Sequence, residues 1–225
     1  MPMADLLALA DDFLTRARRA GAESVDVVAS HATDLTCSIR KSIPETLERS
    51  ETTSLGLRVF IGQSSASVST SDLSPDNLTQ LADTAVAIAR AAPPDPFAGL
   101  ADAARLARDL PDLDLFDASE PSLESLQERC REAEAIGRDH AGITNSEGAD
   151  AGYGAYHSAL VTSHGYSGEY RSSSCGLSLT LIAGEGSAMQ RDYAYSSARH
   201  GADVKSPAAI GHEAAERTLA RLNPA

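Results

Sequence analysis

The chain has 225 residues, which is enough to bury one sizeable core or two small ones. It carries 19 basic and 32 acidic side chains, and its formal net charge of −13 repels a phosphate backbone, so we expect no nucleic-acid partner. No apolar run approaches the roughly 20 residues of a membrane span, and aspartates among the first leucines argue against a secretory signal. We therefore expect no membrane partner and a cytoplasmic location.

The first predicted elements are a helix and two runs of alternating residues. An amphipathic helix is predicted over Ala4–Ala20, and Gly21 ends it. Apolar and polar residues then alternate over Ser24–Ser30 and again over 35–39, the pattern of strands with one face toward water. The more polar stretch Ile43–Glu51 is predicted to be an edge strand or a twisted strand.

The clearest signal in the chain is a ββα unit. Apolar and polar residues alternate over 55–61 and over 66–70, on either side of a glycine turn, which predicts two strands. Ser74-Pro75 then predicts the start of a helix, because the serine can cap free amides and the proline suits the first helical position. The apolar stripe of this helix includes Ile88.

Residues 93–121 contain five prolines and many aspartates, and they separate the two halves of the chain. We predict an ordered connector with a short helical piece near Leu100–Leu110, because large apolar side chains in this segment need burial. These side chains are Phe97, Leu106, Leu110, Leu113 and Phe116.

The second half begins with a predicted helix over Ser122–Asp139 and a glycine-rich stretch over Ile143–Gly154. Within that stretch, Asn145-Ser146-Glu147-Gly148 has the composition of a polar turn before a sheet. A helix that begins at Ser206-Pro207 closes the chain. Between them, strands are predicted over Ala155–Ser163, Tyr170–Ile182 and Ala188–Ser197.

Both halves have the same order of predicted elements: a helix, strands, a strand pair around a glycine turn, and a helix with a Ser-Pro start. We therefore predict an α+β fold with antiparallel or mixed sheets and flanking helices, as one domain over residues 1–225. One interpretation is a duplication, with α-β-α repeats at 1–92 and 122–225 and a connector at 93–121. Chance similarity of two small α+β units is the other interpretation.

No catalytic or metal-binding residue is predicted from the sequence. His212-Glu213-Ala214-Ala215-Glu216 has part of the His-Glu-x-x-His pattern, in which two histidines on one helix face reach one zinc ion. The second histidine is replaced by Glu216, so we interpret the segment as an ordinary first helical turn. Cys37, Cys130 and Cys175 fall on apolar faces of predicted elements, where cysteine behaves as a small hydrophobic residue.

Two stretches are candidates for contact with a peptide or a partner. The first holds Asn145 and Glu147 in the polar turn, and the second alternates Arg191, Tyr193 and Tyr195 along a predicted strand. Tyrosines on one strand face offer a wide contact area with a polar tip. The alternatives are an ordinary turn for the first stretch and cross-strand packing for the second.

Four segments carry a resemblance to a known family: Leu55-Gly56-Leu57-Arg58-Val59-Phe60, the helix start Ser74-Pro75, Ile143-Thr144-Asn145-Ser146-Glu147-Gly148 and Met189-Gln190-Arg191-Asp192-Tyr193-Ala194-Tyr195. They resemble the TldD/PmbA family, once called modulators of DNA gyrase. The last segment is more similar to the PmbA branch, also called TldE, and the chain resembles only the N-terminal half of the longer family members.

The resemblance implies a PmbA/TldE-like subunit that pairs with a TldD-type subunit in a zinc metallopeptidase complex for unfolded peptides. Zinc is expected only in the TldD-type partner, on a His-Glu-x-x-x-His helix, and no cofactor is expected in this chain. Arg217 stands where that motif would need its second histidine after His212-Glu213. We therefore expect a non-catalytic chain in a hetero- or homodimer.

The expected role is subunit assembly and peptide access. An extended peptide could add to the sheet edge at Asp192–Ser197 through main-chain hydrogen bonds. One alternative is a stand-alone, non-enzymatic module that binds a peptide or a protein. Another is an independent hydrolase that uses one of the cysteines or histidines.

Overall fold

The computed structural model describes residues 5–222, which form four α-helices and six β-strands. The helices are α1 (Leu6–Ala20), α2 (Pro75–Ala91), α3 (Leu123–Arg138) and α4 (Pro207–Ala220). The strands are β1 (Ser24–Arg40), β2 (Ile43–Ile61), β3 (Ser64–Thr70), β4 (Ile143–Thr162), β5 (Ser167–Ala183) and β6 (Gln190–Ala198). None of the helices in this range is long and apolar enough to span a membrane.

The six strands form one antiparallel sheet in the order β3-β2-β1-β4-β5-β6, which confirms the α+β prediction. At one end, β3 pairs with β2 from Leu55↔Thr70 to Ile61↔Ser64. At the other end, β6 pairs with β5 from Cys175↔Ala198 to Ala183↔Gln190. Each half of the chain thus contributes three consecutive strands and two flanking helices. A duplication remains a prediction.

The chain divides into two compact units, and the first is built from residues up to Ala32, Glu51–Leu113 and Tyr156–Arg171. Its helix α1 begins and ends as the local sequence dictates. The Asp5 carboxylate accepts the Ala8 N–H at 3.0 Å, and Gly21 ends α1 in the left-handed region with a φ of 105°. Helices α1 and α2 bury one face of the strands. Representative core residues are Phe13, Val27, Leu57, Ala85 and Val161.

The second unit is built from Thr33–Ser50, Asp114–Ala155 and the residues from Ser172 onward. Its helices α3 and α4 both begin at a serine cap: Ser122 Oγ accepts the Ser125 N–H, and Ser206 Oγ accepts the Ala209 N–H, the second as predicted. Alternate residues of β5 point into this core, so one face of the strand is covered and the other is not. Core residues include Leu126, Cys130, Leu177, Leu179 and Ile210.

Several predicted strands are longer in the structure than in the sequence analysis. The runs 24–30 and 35–39 form the single strand β1, and Ile43–Glu51 continues into the next predicted strand as β2. The predicted turn at Asn145–Gly148 is wrong, because these residues lie within β4. Gly148 has a φ of 120°, and a Cβ there would lie 2.8 Å from the Ile39 carbonyl oxygen, so a local irregularity at glycine replaces the turn.

Three expectations about capping and burial are also wrong. Ser74 makes no side-chain cap to α2, and Ile88 is 48% exposed while Val86 takes the buried position. In the connector, Phe97 is 94% exposed, and Leu110 and Leu113 are also mostly exposed. The short helical piece predicted near Leu100–Leu110 is present as one 3₁₀ turn, Ala103–Arg105. Prolines and aspartates therefore shape the connector more than its apolar residues do. The predicted start of α1 at Ala4 lies outside the described residues.

Candidate functional site

Two exposed tyrosines lie on the uncovered face of the sheet in the second unit. Tyr193 and Tyr195 are 52% and 61% exposed, while Ala194 between them is fully buried. This alternation follows from the two-residue period of a strand. Their neighbours on β5 are Thr180 and Ser178, which are too small to cover an aromatic ring. The rings are therefore available to a molecule outside the chain.

The two rings contact each other and a cation. The centroids of Tyr193 and Tyr195 are 6.2 Å apart with 34° between the planes, an arrangement typical of aromatic pairs. The guanidinium carbon of Arg217, on α4, lies 6.0 Å from the Tyr193 centroid, at the limit of a cation–π contact. Arg217 also forms an ion pair with Glu213. The pKa of Glu213 is lowered, mainly because Lys205 donates a hydrogen bond to its carboxylate. The tyrosine pair is thus held on one side by a charged helix face.

An ion pair lies on the same face of the sheet. Arg191 Nη1 is 3.0 Å from Glu147 Oε2, across the intervening strand β5. Glu147 is exposed because the irregularity at Gly148 turns it outward, while the preceding Ser146 is fully buried. We call Glu147, Arg191, Tyr193 and Tyr195 the tyrosine patch.

Four of the five predicted contact residues belong to the tyrosine patch. The fifth, Asn145, is half-buried, and its Oδ1 accepts the N–H of Ser146 at 2.9 Å within its own strand. Any contact role of the five residues remains a prediction.

The outer edge of β6 is partly occupied by α4. The backbone carbonyl of Asp192 accepts a hydrogen bond from the Thr218 hydroxyl at 3.3 Å. The Asp192 carboxylate accepts from Arg221 and from the Tyr193 N–H, and the hydrogen bond from Arg221 is the main cause of its lowered pKa. A strand adding at Asp192–Ser197 would therefore have to displace Thr218 from Asp192.

The structure gives His212 a partner that the sequence does not indicate. His140 Nε2 and His212 Nδ1 are 2.9 Å apart, although 72 residues separate them in the chain. Glu213, the next residue, is bound by Lys205 and Arg217. Within residues 5–222, no three His, Cys, Asp or Glu side chains are grouped so as to hold a metal ion.

The three cysteines are buried free thiols, as predicted from their positions on apolar faces. Burial is the largest cause of the raised pKa of each thiol, and it acts by disfavouring the thiolate. Cys130 Sγ also lies 3.9 Å from the Cys37 carbonyl oxygen, to which it can donate. Thiols in such surroundings are poor nucleophiles.

Two family models match the chain. Residues 25–89 match the PmbA/TldA metallopeptidase domain 1, and residues 116–222 match the PmbA/TldA metallopeptidase central domain. The second match contains the whole tyrosine patch, and the gap between the matches contains most of the connector.

Relatives with known names agree with these matches. The chain is 36% identical over 205 residues to the metalloprotease PmbA of Escherichia coli O157:H7. The aligned region covers 90% of this chain and 45% of that protein. The chain is 34% identical over 210 residues to a metalloprotease PmbA homolog of Haemophilus influenzae, covering 92% of this chain and 46% of the homolog. The chain thus spans less than half the length of these relatives.

Solved structures share the fold. One is a protein of Bacteroides thetaiotaomicron described as a modulator of DNA gyrase. It superposes on this chain with a TM-score of 0.91 at 23% identity, and the match covers all of this chain and 52% of that protein. TldE of Thermococcus kodakarensis matches 94% of this chain and 47% of its own with a TM-score of 0.77 at 13% identity. Together with the two family models and the named relatives, this shows that the chain belongs to the PmbA/TldD metallopeptidase family.

Proposed function

We propose that this chain is the N-terminal, non-catalytic part of a PmbA/TldE-like subunit in a TldD–TldE-type zinc metallopeptidase complex. The complex would degrade or process unfolded peptides in the cytoplasm, with zinc held by a TldD-type partner. This chain would serve subunit assembly and peptide access. The family assignment supports the peptidase context, and the surface chemistry of the chain supports a contact role.

The tyrosine patch is the observation that carries the contact role. Its two rings are more than half exposed, yet they are fixed by each other and by the strand that bears them. Rigid tyrosines lose little conformational entropy on binding and accept varied partners through ring faces and hydroxyls. The pair formed by Glu147 and Arg191 adds one charge of each sign beside the rings. Such a surface suits an unfolded peptide of variable sequence.

The cysteine surroundings favour a contact role over an independent thiol hydrolase. A thiol nucleophile needs a lowered pKa and an accessible sulfur, but Cys37, Cys130 and Cys175 are buried and their pKa values are raised. A stand-alone binding module remains the competing function, and it differs from the proposal in needing no peptidase partner.

The proposal is tested by capturing the partner. Purification of the tagged chain from its native cell extract should recover a subunit with a His-Glu-x-x-x-His helix, and the eluate should cleave an unfolded peptide. A chelator should abolish cleavage, and zinc should restore it. An eluate without such a subunit, and inactive with added zinc, would overturn the peptidase proposal and favour the stand-alone module.

The contact role is tested separately with a double variant, Tyr193→Ala with Tyr195→Ala. We expect the complex to assemble and to bind the unfolded peptide at least about tenfold more weakly, because aromatic contacts dominate such surfaces. Tyr170→Ala is the matched control, since Tyr170 is 60% exposed on β5 in the other unit. Equal peptide affinity for the double variant and the control would exclude the tyrosine patch as a peptide site.

A further inference from the structure

The first part of β2, residues Ile43–Ser50, has an outer edge that no strand within residues 5–222 covers. β3 is the neighbour of β2 on that side, but all seven residues of β3 pair with Leu55–Ile61. Each residue over 43–49 is exposed, including Ile43 at 66% and Leu47 at 50%. We call Ile43–Ser50 the β2 arm. A strand edge of this kind is a template for another strand.

The turn before the β2 arm determines which backbone groups face outward. Lys41 and Ser42 have φ values of 52° and 65°, which identifies a two-residue turn of type I′ between β1 and β2. In such a hairpin Arg40 and Ile43 hydrogen bond to each other, so the even-numbered residues of the arm point their N–H and C=O groups outward. Pro44 is one of them, and proline in sheets is typical of edge positions whose missing N–H faces solvent.

The β2 arm is fixed before any partner binds. Glu134 of α3 is 1% exposed, and its two carboxylate oxygens accept the N–H groups of Lys41 and Ser42 at 2.7 Å each. Charge-assisted hydrogen bonds of this kind are the strong ones, and they hold the turn in its left-handed conformation. A preformed arm avoids most of the ordering cost of strand addition.

We propose that the β2 arm pairs antiparallel with the β2 arm of a second copy of this chain, about a two-fold axis at Leu47. In this register Leu47 lies opposite Leu47 of the second copy. Glu45 lies opposite Arg49 of the second copy, and the symmetry repeats this ion pair. The outward-facing groups of Thr46 meet those of Glu48, so the backbone hydrogen bonds also match.

Charge selects this register among those that the backbone allows. Only shifts that match outward-facing residues with each other are possible. One such neighbouring register places Glu45 opposite Leu47, which loses both ion pairs. The other places Glu45 opposite Glu51, which brings like charges together. The sequence of the arm is therefore complementary to itself, and this favours a second copy over a peptide of unrelated sequence.

The ion pair of Arg49 with Glu120 is compatible with the pairing. Arg49 Nη2 lies 3.3 Å from Glu120 Oε1, with both side chains about 40% exposed. A guanidinium has five N–H donors and can bind two carboxylates at once. Surface ion pairs of this kind are weak, so the contact costs little to rearrange. The short arm predicts a weak dimer, because eight residues a side make a small interface.

The first experiment places a cysteine on the proposed axis. In antiparallel pairs, residues outside the hydrogen-bonded rings have Cα atoms about 4.5 Å apart, which permits a disulfide. Leu47→Cys should give a covalent dimer under mild oxidation. Residue 43 lies on the same strand face, but in this register it is eight positions along the strand from residue 43 of the second copy. The Ile43→Cys variant should therefore stay monomeric. Equal cross-linking of both variants, or none with Leu47→Cys, would overturn the register.

The second experiment reverses the charges without cysteines, with dimerisation measured by sedimentation equilibrium on the 225-residue chain. Glu45→Arg and Arg49→Glu should each raise the dimer dissociation constant about tenfold or more, because two attractions become repulsions. The double variant should return to within about threefold of the starting value. A chain that stays monomeric at millimolar concentration, or a double variant as weak as the single ones, would overturn the proposal. The inference is independent of the proposed peptidase function.

Discussion

The carboxylate of Glu134 accepts the backbone N–H of Lys41 at 2.7 Å, and this contact fixes the β1–β2 turn. Glu134 is almost fully buried, whereas Lys41 is exposed in the left-handed region at a φ of 52°. Non-glycine residues in this region cost roughly 1 kcal/mol each, and the turn has two of them. A buried carboxylate from another element therefore offsets strain that the turn sequence creates.

Glu134→Gln should destabilise the fold by about 2 kcal/mol, because a neutral amide offers one acceptor oxygen to two N–H groups. Glu134→Ala should cost about 3 kcal/mol, since both amides lose their partner. The free energy of unfolding from urea titration measures both effects. Glu132→Gln, at an exposed position of the same helix, is the matched control and should change stability by less than about 0.5 kcal/mol. A Glu134→Gln variant as stable as that control would contradict the anchoring role.

The sequence predicts the type and order of the elements because alternation and helical spacing are local signals. It does not predict that 24–30 and 35–39 form one strand, since no local residue decides whether the segment between them stays extended. The local sequence also does not predict the turn at Lys41. Its partner Glu134 lies 93 residues away, and nothing in the sequence distinguishes it from the other glutamates of its helix. Strand continuity and turn position therefore depend on long-range contacts of single residues, which the local pattern does not contain.

The tyrosine patch, too, is predictable from the sequence only in part. Alternation along a strand places Arg191, Tyr193 and Tyr195 on one face, and the structure has them there. The ion pair of Arg191 with Glu147 depends on β5 lying between β4 and β6, which is a property of the topology. It also depends on Gly148, whose positive φ turns Glu147 to the open face, and glycine alone does not tell a turn from an irregular strand.

Gly148→Ala should therefore be strongly destabilising. The position has a φ of 120°, and the new Cβ would lie 2.8 Å from the Ile39 carbonyl oxygen, which belongs to a paired strand and cannot move freely. We expect a loss of at least about 2 kcal/mol in thermal or urea unfolding. Gly99→Ala is the control, because nothing lies within 4 Å of a Cβ there, and its stability should be unchanged or slightly raised. Similar stability of the two variants would exclude a strained backbone at Gly148.

Asp192 should make the stability of the second unit depend on acid pH. Its pKa lies below the ordinary 3.8, mainly because Arg221 donates to its carboxylate. A lowered pKa in the folded chain means that the stabilisation is complete above the ordinary pKa and is lost as the pH falls through the folded value. Asp192→Asn should thus cost about 1 kcal/mol at pH 7, because Arg221 is half exposed, and this cost should shrink as the pH falls below 3.8.

The melting temperatures of the wild type and Asp192→Asn, compared between pH 7 and pH 2.5, measure this dependence. Asp83→Asn, at an exposed position of α2, controls for the loss of one negative charge from an acidic chain. A difference between wild type and Asp192→Asn that is constant over this pH range would show that the ion pair with Arg221 contributes nothing.

His157→Phe should leave the fold at least as stable as the wild type. The His157 side chain is 10% exposed, its Nε2 lies 3.0 Å from Glu169 Oε2, and its Nδ1 has no hydrogen-bond partner among the described residues. An unsatisfied buried nitrogen costs about 1–3 kcal/mol, whereas Glu169 is 47% exposed and regains water when its partner is removed. Phenylalanine keeps the ring and removes the unsatisfied atom, so we expect the free energy of unfolding to rise by about 1 kcal/mol. Glu169→Gln separates the two effects, since it weakens the ion pair but keeps the nitrogen. A His157→Phe variant that loses more than about 1 kcal/mol would contradict the expected cost of the unsatisfied Nδ1.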